Sequence, residues 1–185
     1  MDWSGLVLSC AVFVAPDTMM SVIQNESGGD PLSIHVNKLS DDKQPKRIKT
    51  VDEAVAITER YLRAGYSVDM GLMQVNSRNL PTLGVSVAEA FEPCQNVRMG
   101  AAILAANYAQ ATQKTGPGQV ALLAALSAYN TGNFYEGFLN GYVAKYAMVP
   151  SGLVAYAQGQ KSNEKRQMVA DRKSKVRQPT MIVYN

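Results

Sequence analysis

A chain of 185 residues with 46% hydrophobic and 18% charged side chains has the size and composition of one ordinary globular domain with at most a short appendage, which excludes a low-complexity or disordered protein. No apolar run reaches the roughly 18 residues of a membrane-spanning helix, and two cysteines with a single histidine cannot supply a four-ligand structural zinc site, so neither a metal nor a cofactor is expected. The net charge of +3 comes without the interleaved aromatics or the recognised modules of a nucleic-acid binder, and no nucleic-acid partner is expected.

The longest apolar run, Gly5 to Ala15, is broken by Ser9 and followed by Pro16. Met1-Asp2-Trp3 offers no positively charged leader, so this run predicts a short first helix rather than a signal-peptide core. Ala15-Pro16-Asp17 opens a second helix, in which Met19, Val22, Ile23 and Glu26 fall at i, i+3, i+4 and i+7 on one face. Gly28-Gly29 stops it, and two successive glycines predict a looser helix end than one would. Pro31 to Lys49 is polar and reads as a loop. Thr50-Val51-Asp52-Glu53 has the pattern of a capping box. The helix it opens carries Val51, Ala54, Val55, Thr58, Tyr61 and Leu62 along one side and ends near Gly65.

Gly71 to Asn76 reads as a compact, irregular segment. A strong helix follows over Asn96 to Thr112, then a turn at Gly116-Pro117-Gly118. Gln119 to Tyr129 is apolar all round, which marks the centre of a domain. A final helix is predicted over Tyr135 to Ala147, before Pro150 and Gly152. The expected fold is all-α, with little or no sheet, over residues 1–156. Residues 157–185 form a basic extension carrying Lys161, Lys165, Arg166, Arg172, Lys173, Lys175 and Arg177, while the remainder is mildly acidic. Such a tail suits an anionic polymer, a membrane surface or a partner protein; the plainer reading is a solvated, poorly ordered terminus. Cys10 and Cys94 lie far apart in sequence, so a disulfide between them would close a long loop and contribute roughly 3–4 kcal/mol. It would also require an oxidising compartment. Two buried free thiols are the alternative.

Three short segments can carry chemistry. Glu26 ends an apolar helical face, where desolvation would raise its pKa toward that of a general acid working near neutral pH; a surface glutamate near a helix C-terminus is the alternative. Gly71-Leu72-Met73-Gln74-Val75-Asn76 offers the amides of Gln74 and Asn76 beside a glycine, suited to sugar hydroxyl and acetamido groups, or else a generic loop. Ala128-Tyr129-Asn130-Thr131-Gly132-Asn133 offers a stacking ring and an amide, or simply an Asn- and Gly-rich helix end. Asp69, just before the second segment, either braces that loop, the favoured reading, or supplies a second carboxylate.

In order, Glu26-Ser27, then Gly71-Leu72-Met73-Gln74, then Ala128-Tyr129-Asn130-x-Gly132, the three resemble the signature of the soluble lytic transglycosylases, a goose-type lysozyme-like superfamily. Cys10, Pro16, Asn37-Lys38-Leu39, Asp69-Met70-Gly71, Pro93-Cys94 and Gly141-Tyr142-Val143 extend the likeness over residues 5–150. With them the chain looks like the small transglycosylases of type IV secretion and conjugation systems. The resemblance implies a lysozyme-like helical domain that cleaves peptidoglycan between N-acetylmuramic acid and N-acetylglucosamine. It implies Glu26 as the single acid and base, a 1,6-anhydro product, a periplasmic location and secretion or conjugation components as partners. Ser27 would steady the glutamate, Gln74, Asn76, Tyr129 and Asn130 would line the sugar subsites, and Tyr142 would stand near the glutamate. A lysozyme-type hydrolase of the same bond and a non-enzymatic wall-binding assembly subunit are the competing expectations.

Overall fold

A computed structural model describes the chain from residue 2 to residue 176, with side chains described as far as Met168. The described residues are mainly helical, as the sequence predicts, and they fall into two compact units that divide between Ala106 and Asn107.

The first unit opens with α1 (Ser4–Cys10) and α2 (Pro16–Ser27). Pro16 at the first position of α2 suits a helix start, where its missing N–H leaves nothing unpaired. Met19, Val22 and Ile23 are buried along the predicted face. The polar stretch after α2 is more than a loop. It contains β1 (Ile34–Val36), and after α3 (Val51–Arg63) come β2 (Val68–Met70) and β3 (Val75–Asn76). The three make one antiparallel sheet in the order β1-β2-β3, with His35 opposite Asp69 and Asp69 opposite Asn76. Strands of two or three residues are too short to show an alternating pattern, which explains their absence from the sequence prediction.

Thr50 caps α3 by accepting from the Glu53 N–H at 3.2 Å, but Glu53 answers the N–H of Lys49 at 3.0 Å rather than that of Thr50. The reciprocal capping box lies elsewhere, at Ser86 and Glu89. The short helices α4 (Leu80–Leu83) and α5 (Val87–Ala90) lead into α6, which runs over Pro93–Thr115. It starts three residues before the predicted Asn96 because Pro93 serves as its first residue. Cys10 and Cys94 form a disulfide with a Cα–Cα distance of 5.5 Å, tying the end of α1 to the first turn of α6.

In the second unit, the hydroxyl of Tyr108 on α6 accepts from the Gly118 N–H at 3.1 Å and closes the turn into α7 (Gln119–Thr131). Ala111, Ala121 and Ala124 pack together, with Tyr108 and Phe134 against them. The single helix predicted over Tyr135–Ala147 is instead α8 (Glu136–Leu139) and a 3₁₀ turn over Val143–Lys145. Gly141, at a φ of 82°, breaks the run. The last helix, α9 (Ser151–Val176), crosses residue 156 without interruption, where the sequence reading ended the domain. Pro150 stands just before its first residue, so the proline read as a stop introduces a helix. Ala157 is buried, and Lys161 pairs with Glu136 of α8 at 3.1 Å. The side chains of Arg172, Lys173, Lys175 and Arg177 lie outside the described residues.

Candidate active site

The predicted residues divide between the units. Glu26, Ser27, Gln74 and Asn76 belong to the first, and Tyr129, Asn130 and Tyr142 to the second.

In the first unit, Glu26 is half-buried in the last turn of α2. The helix ends on Gly28 in the left-handed region, at a φ of 62°. Gly29 is held on both sides of its backbone. The Gly29 N–H donates to the Ser27 hydroxyl at 3.2 Å, and the Gly29 carbonyl accepts from the Trp3 indole N–H at 3.1 Å. Ser27 also ties two motifs together. Its hydroxyl donates to the Leu72 carbonyl at 2.8 Å and reaches the Ile23 carbonyl of its own helix at 3.1 Å. The residue beside Glu26 is thus bonded to the backbone of the Gly71–Gln74 turn.

That turn is built around a residue the sequence reading did not single out. Asn96 is fully buried and makes three bonds to main chain. Its amide donates to the carbonyls of Met70 at 2.9 Å and Ala90 at 2.7 Å, while its oxygen accepts from the Met73 N–H at 2.7 Å. Gly71 is required twice, by its φ of 71° and because a Cβ there would lie 2.5 Å from the Asn96 amide nitrogen. Gly100 allows the same closeness one turn along α6, where a Cβ would meet that of Met73 at 2.6 Å. An asparagine in the first turn of a helix signals a cap in sequence; only the fold shows it turned inward.

Gln74 sits at a φ of 46°. Its side-chain amide donates to the carbonyls of Gly71 at 2.9 Å and Ser33 at 3.2 Å. Its nitrogen is therefore committed to the turn, and its oxygen faces away from those carbonyls. Asn76 braces the sheet: it donates to Asp69 and accepts from the Arg78 N–H at 3.0 Å. Asp69 also accepts from Asn37 at 2.9 Å, so one carboxylate joins residues on both sides of β2. Burial holds its pKa above the ordinary carboxylate value, against the lowering effect of the Asn76 and Asn37 hydrogen bonds and of nearby His35 and Arg78.

In the second unit, Tyr129 is half-buried and Asn130 exposed in the last turn of α7, which ends on Gly132 at a φ of 71°. Buried Ser127 fixes this end. Its hydroxyl donates to the Asn133 carbonyl at 2.6 Å and accepts from the Gly137 N–H at 2.8 Å. Asn130 accepts from the Asn140 amide at 3.1 Å, and Asn140 accepts from the Tyr142 N–H at 2.9 Å. Tyr142 is buried, its hydroxyl 2.8 Å from that of Tyr146 and its ring 5.6 Å from the Lys145 ammonium. Among the described residues no cluster of histidine, cysteine, aspartate and glutamate could hold a metal ion, and no helix is long and apolar enough to cross a membrane.

A family model described as the transglycosylase SLT domain matches residues 9–147. The chain is 36% identical over 153 residues to protein virB1 of Agrobacterium fabrum, a match covering 83% of this chain and 61% of that protein. Protein virB1 of Rhizobium radiobacter is 38% identical over 153 residues, covering 83% and 62%. The type IV secretion system protein virB1 of Brucella suis is 41% identical over 134 residues, covering 72% and 55%. The chain thus spans about three fifths of the length of these relatives, or less. No solved structure gives a significant match.

Proposed function

The chain belongs to the transglycosylase SLT domain family, and from that membership we propose that it is a peptidoglycan lytic transglycosylase with Glu26 as its single acid and base. It acts on the β-1,4 bond between N-acetylmuramic acid and N-acetylglucosamine. Glu26 gives its proton to the glycosidic oxygen as the bond to the muramic acid C1 breaks. The resulting carboxylate takes the proton of the muramic acid 6-hydroxyl, whose oxygen closes onto C1. The products are a 1,6-anhydro end and a free 4-hydroxyl on the departing glucosamine, and Glu26 is again protonated. One carboxylate serves twice because the nucleophile belongs to the substrate.

The observation that carries this reading is the bond from Ser27 to the Leu72 carbonyl. It joins the helix end that bears Glu26 to the second motif, so the turn and the acid hold a common register. Glycoside hydrolysis usually needs a second carboxylate. Asp69, the acid next to that motif, is engaged by Asn37 and Asn76, which supports the single-carboxylate scheme over hydrolysis. The Cys10–Cys94 disulfide fits an oxidising compartment such as the periplasm. The transglycosylase SLT family, together with the name of the Brucella suis relative, a type IV secretion system protein, supports a role in local wall opening for a type IV secretion apparatus.

The test is digestion of purified sacculi. Wild-type protein releases soluble glycan fragments, and Glu26→Gln, folded as judged by circular dichroism, releases them at least about a hundredfold more slowly. Full activity in Glu26→Gln overturns the catalytic assignment, and no release by the wild-type protein leaves a wall-binding role.

A further inference from the structure

The second unit contains a chain of side-chain amides whose polarity is set by the backbone. A main-chain N–H can only donate, so the Asn140 atom that faces the Tyr142 N–H at 2.9 Å must be its oxygen. The other end of the same amide is then NH2, and it points at Asn130 across 3.1 Å. A donor there requires an acceptor, so Asn130 must turn its own oxygen inward. Its NH2, which donates to no group among the described residues, is left facing outward on an exposed side chain. One peptide N–H thus dictates the orientation of two successive side chains.

We infer that Asn140 is a specificity-determining positioning residue, which holds Asn130 with its NH2 toward the ligand so that the second unit offers a donor to a sugar oxygen, either a hydroxyl or an acetamido carbonyl. This rests on the proposed transglycosylase function and on the sugar-subsite role that the family resemblance implies for Asn130. Gln74 is fixed by the same logic in the opposite sense. Its NH2 is spent on the carbonyls of Gly71 and Ser33, which leaves an oxygen to accept from a ligand N–H or hydroxyl. A bare amide side chain turns over freely and presents either face; a relayed one discriminates. A ligand meeting the wrong face loses a hydrogen bond and gains a repulsion.

Asn140→Asp separates the two duties of Asn140. The introduced carboxylate still accepts from the Tyr142 N–H but has no donor for Asn130, whose amide swings round and offers its NH2 to the new charge. Its oxygen then faces the ligand. The expected result is a KM for a soluble N-acetylglucosamine–N-acetylmuramic acid oligosaccharide about tenfold higher, with kcat little changed. In an Asn130→Ala background the same substitution adds nothing further, since the residue it acts through is gone. A wild-type KM in Asn140→Asp overturns the inference, and so does an equal loss in the Asn130→Ala background. NMR of the side-chain amides reads the flip without substrate. In Asn140→Asp one Asn130 NH2 proton moves downfield and exchanges more slowly, and unchanged Asn130 amide signals refute the relay. If wild-type protein cleaves no glycan, the proposed function fails, while the amide spectra still decide the inference.

Discussion

Both units place motif residues in the last turn of a helix that ends on a left-handed glycine, Gly28 after α2 and Gly132 after α7, yet they secure those turns differently. In the first unit the fastenings reach far along the chain. Ser27 bonds a carbonyl 45 residues away, Trp3 one 26 residues away, Asn96 an N–H 23 residues back, and the disulfide joins positions 84 apart. In the second unit they are local. Ser127 reaches six and ten residues ahead, and Asn140 reaches ten residues back to Asn130. Long closures carry a larger entropic cost than local ones, so the setting of Glu26 depends on the whole first unit being assembled. The Ser127 and Asn140 bonds at the Asn130 end of α7 stay within residues 127–142.

Reducing the disulfide strikes at that difference hardest. Loss of the Cys10–Cys94 link is expected to lower the stability of the first unit by about 3–4 kcal/mol. Hydrogen exchange then rises through α1, α2 and the sheet while α7 and α8 keep their protection. Uniform loss across both units contradicts the division of labour. Asn96→Ala comes next, removing the bonds of Asn96 to the Met73 N–H and to two carbonyls at an expected cost of about 3 kcal/mol. The same exchange measurement should show the Gly71–Gln74 turn opening first.

The smallest effect is a matter of sign. Burial raises the Asp69 pKa above the ordinary 3.8, so the folded protein holds this proton more tightly than the unfolded chain does. That contribution is complete below the ordinary value and is lost as pH rises through the folded one. Unfolding of wild type and Asp69→Asn by urea at a series of pH values should show the wild-type advantage shrinking as pH climbs from below 3.8. A gap that widens or stays constant contradicts it.

Much of this was legible before the fold. The spacing of Met19, Val22, Ile23 and Glu26 gave α2 and its buried face, and all-round hydrophobicity marked α7. Glu26 and Ser27 were singled out by the order of three short motifs along the chain, and the Ser27 bond to the Leu72 carbonyl joins the first of these to the second. The sheet was not, because its strands are too short for periodicity and are joined by the Asp69 carboxylate, a contact no local pattern records. Asn96 was hidden for a similar reason: two of its three partners, Met70 and Met73, lie 26 and 23 residues back in the chain. Asn140 and the facing of Asn130 were hidden because an amide has two faces, and only the backbone group it meets in the folded chain decides which is presented. The helix predicted over Tyr135–Ala147 failed at Asn140-Gly141, where a left-handed glycine and the Asn140 bond to the Tyr142 N–H make a turn.

The central claim is that one carboxylate, Glu26, serves as both acid and base. Mass spectrometry of the glycan ends released from purified sacculi tests it most directly. The account predicts muramic acid in its 1,6-anhydro form, without a reducing end. Reducing-end muramic acid as the product would contradict it, since water would then be the nucleophile and a second group would be needed to activate it.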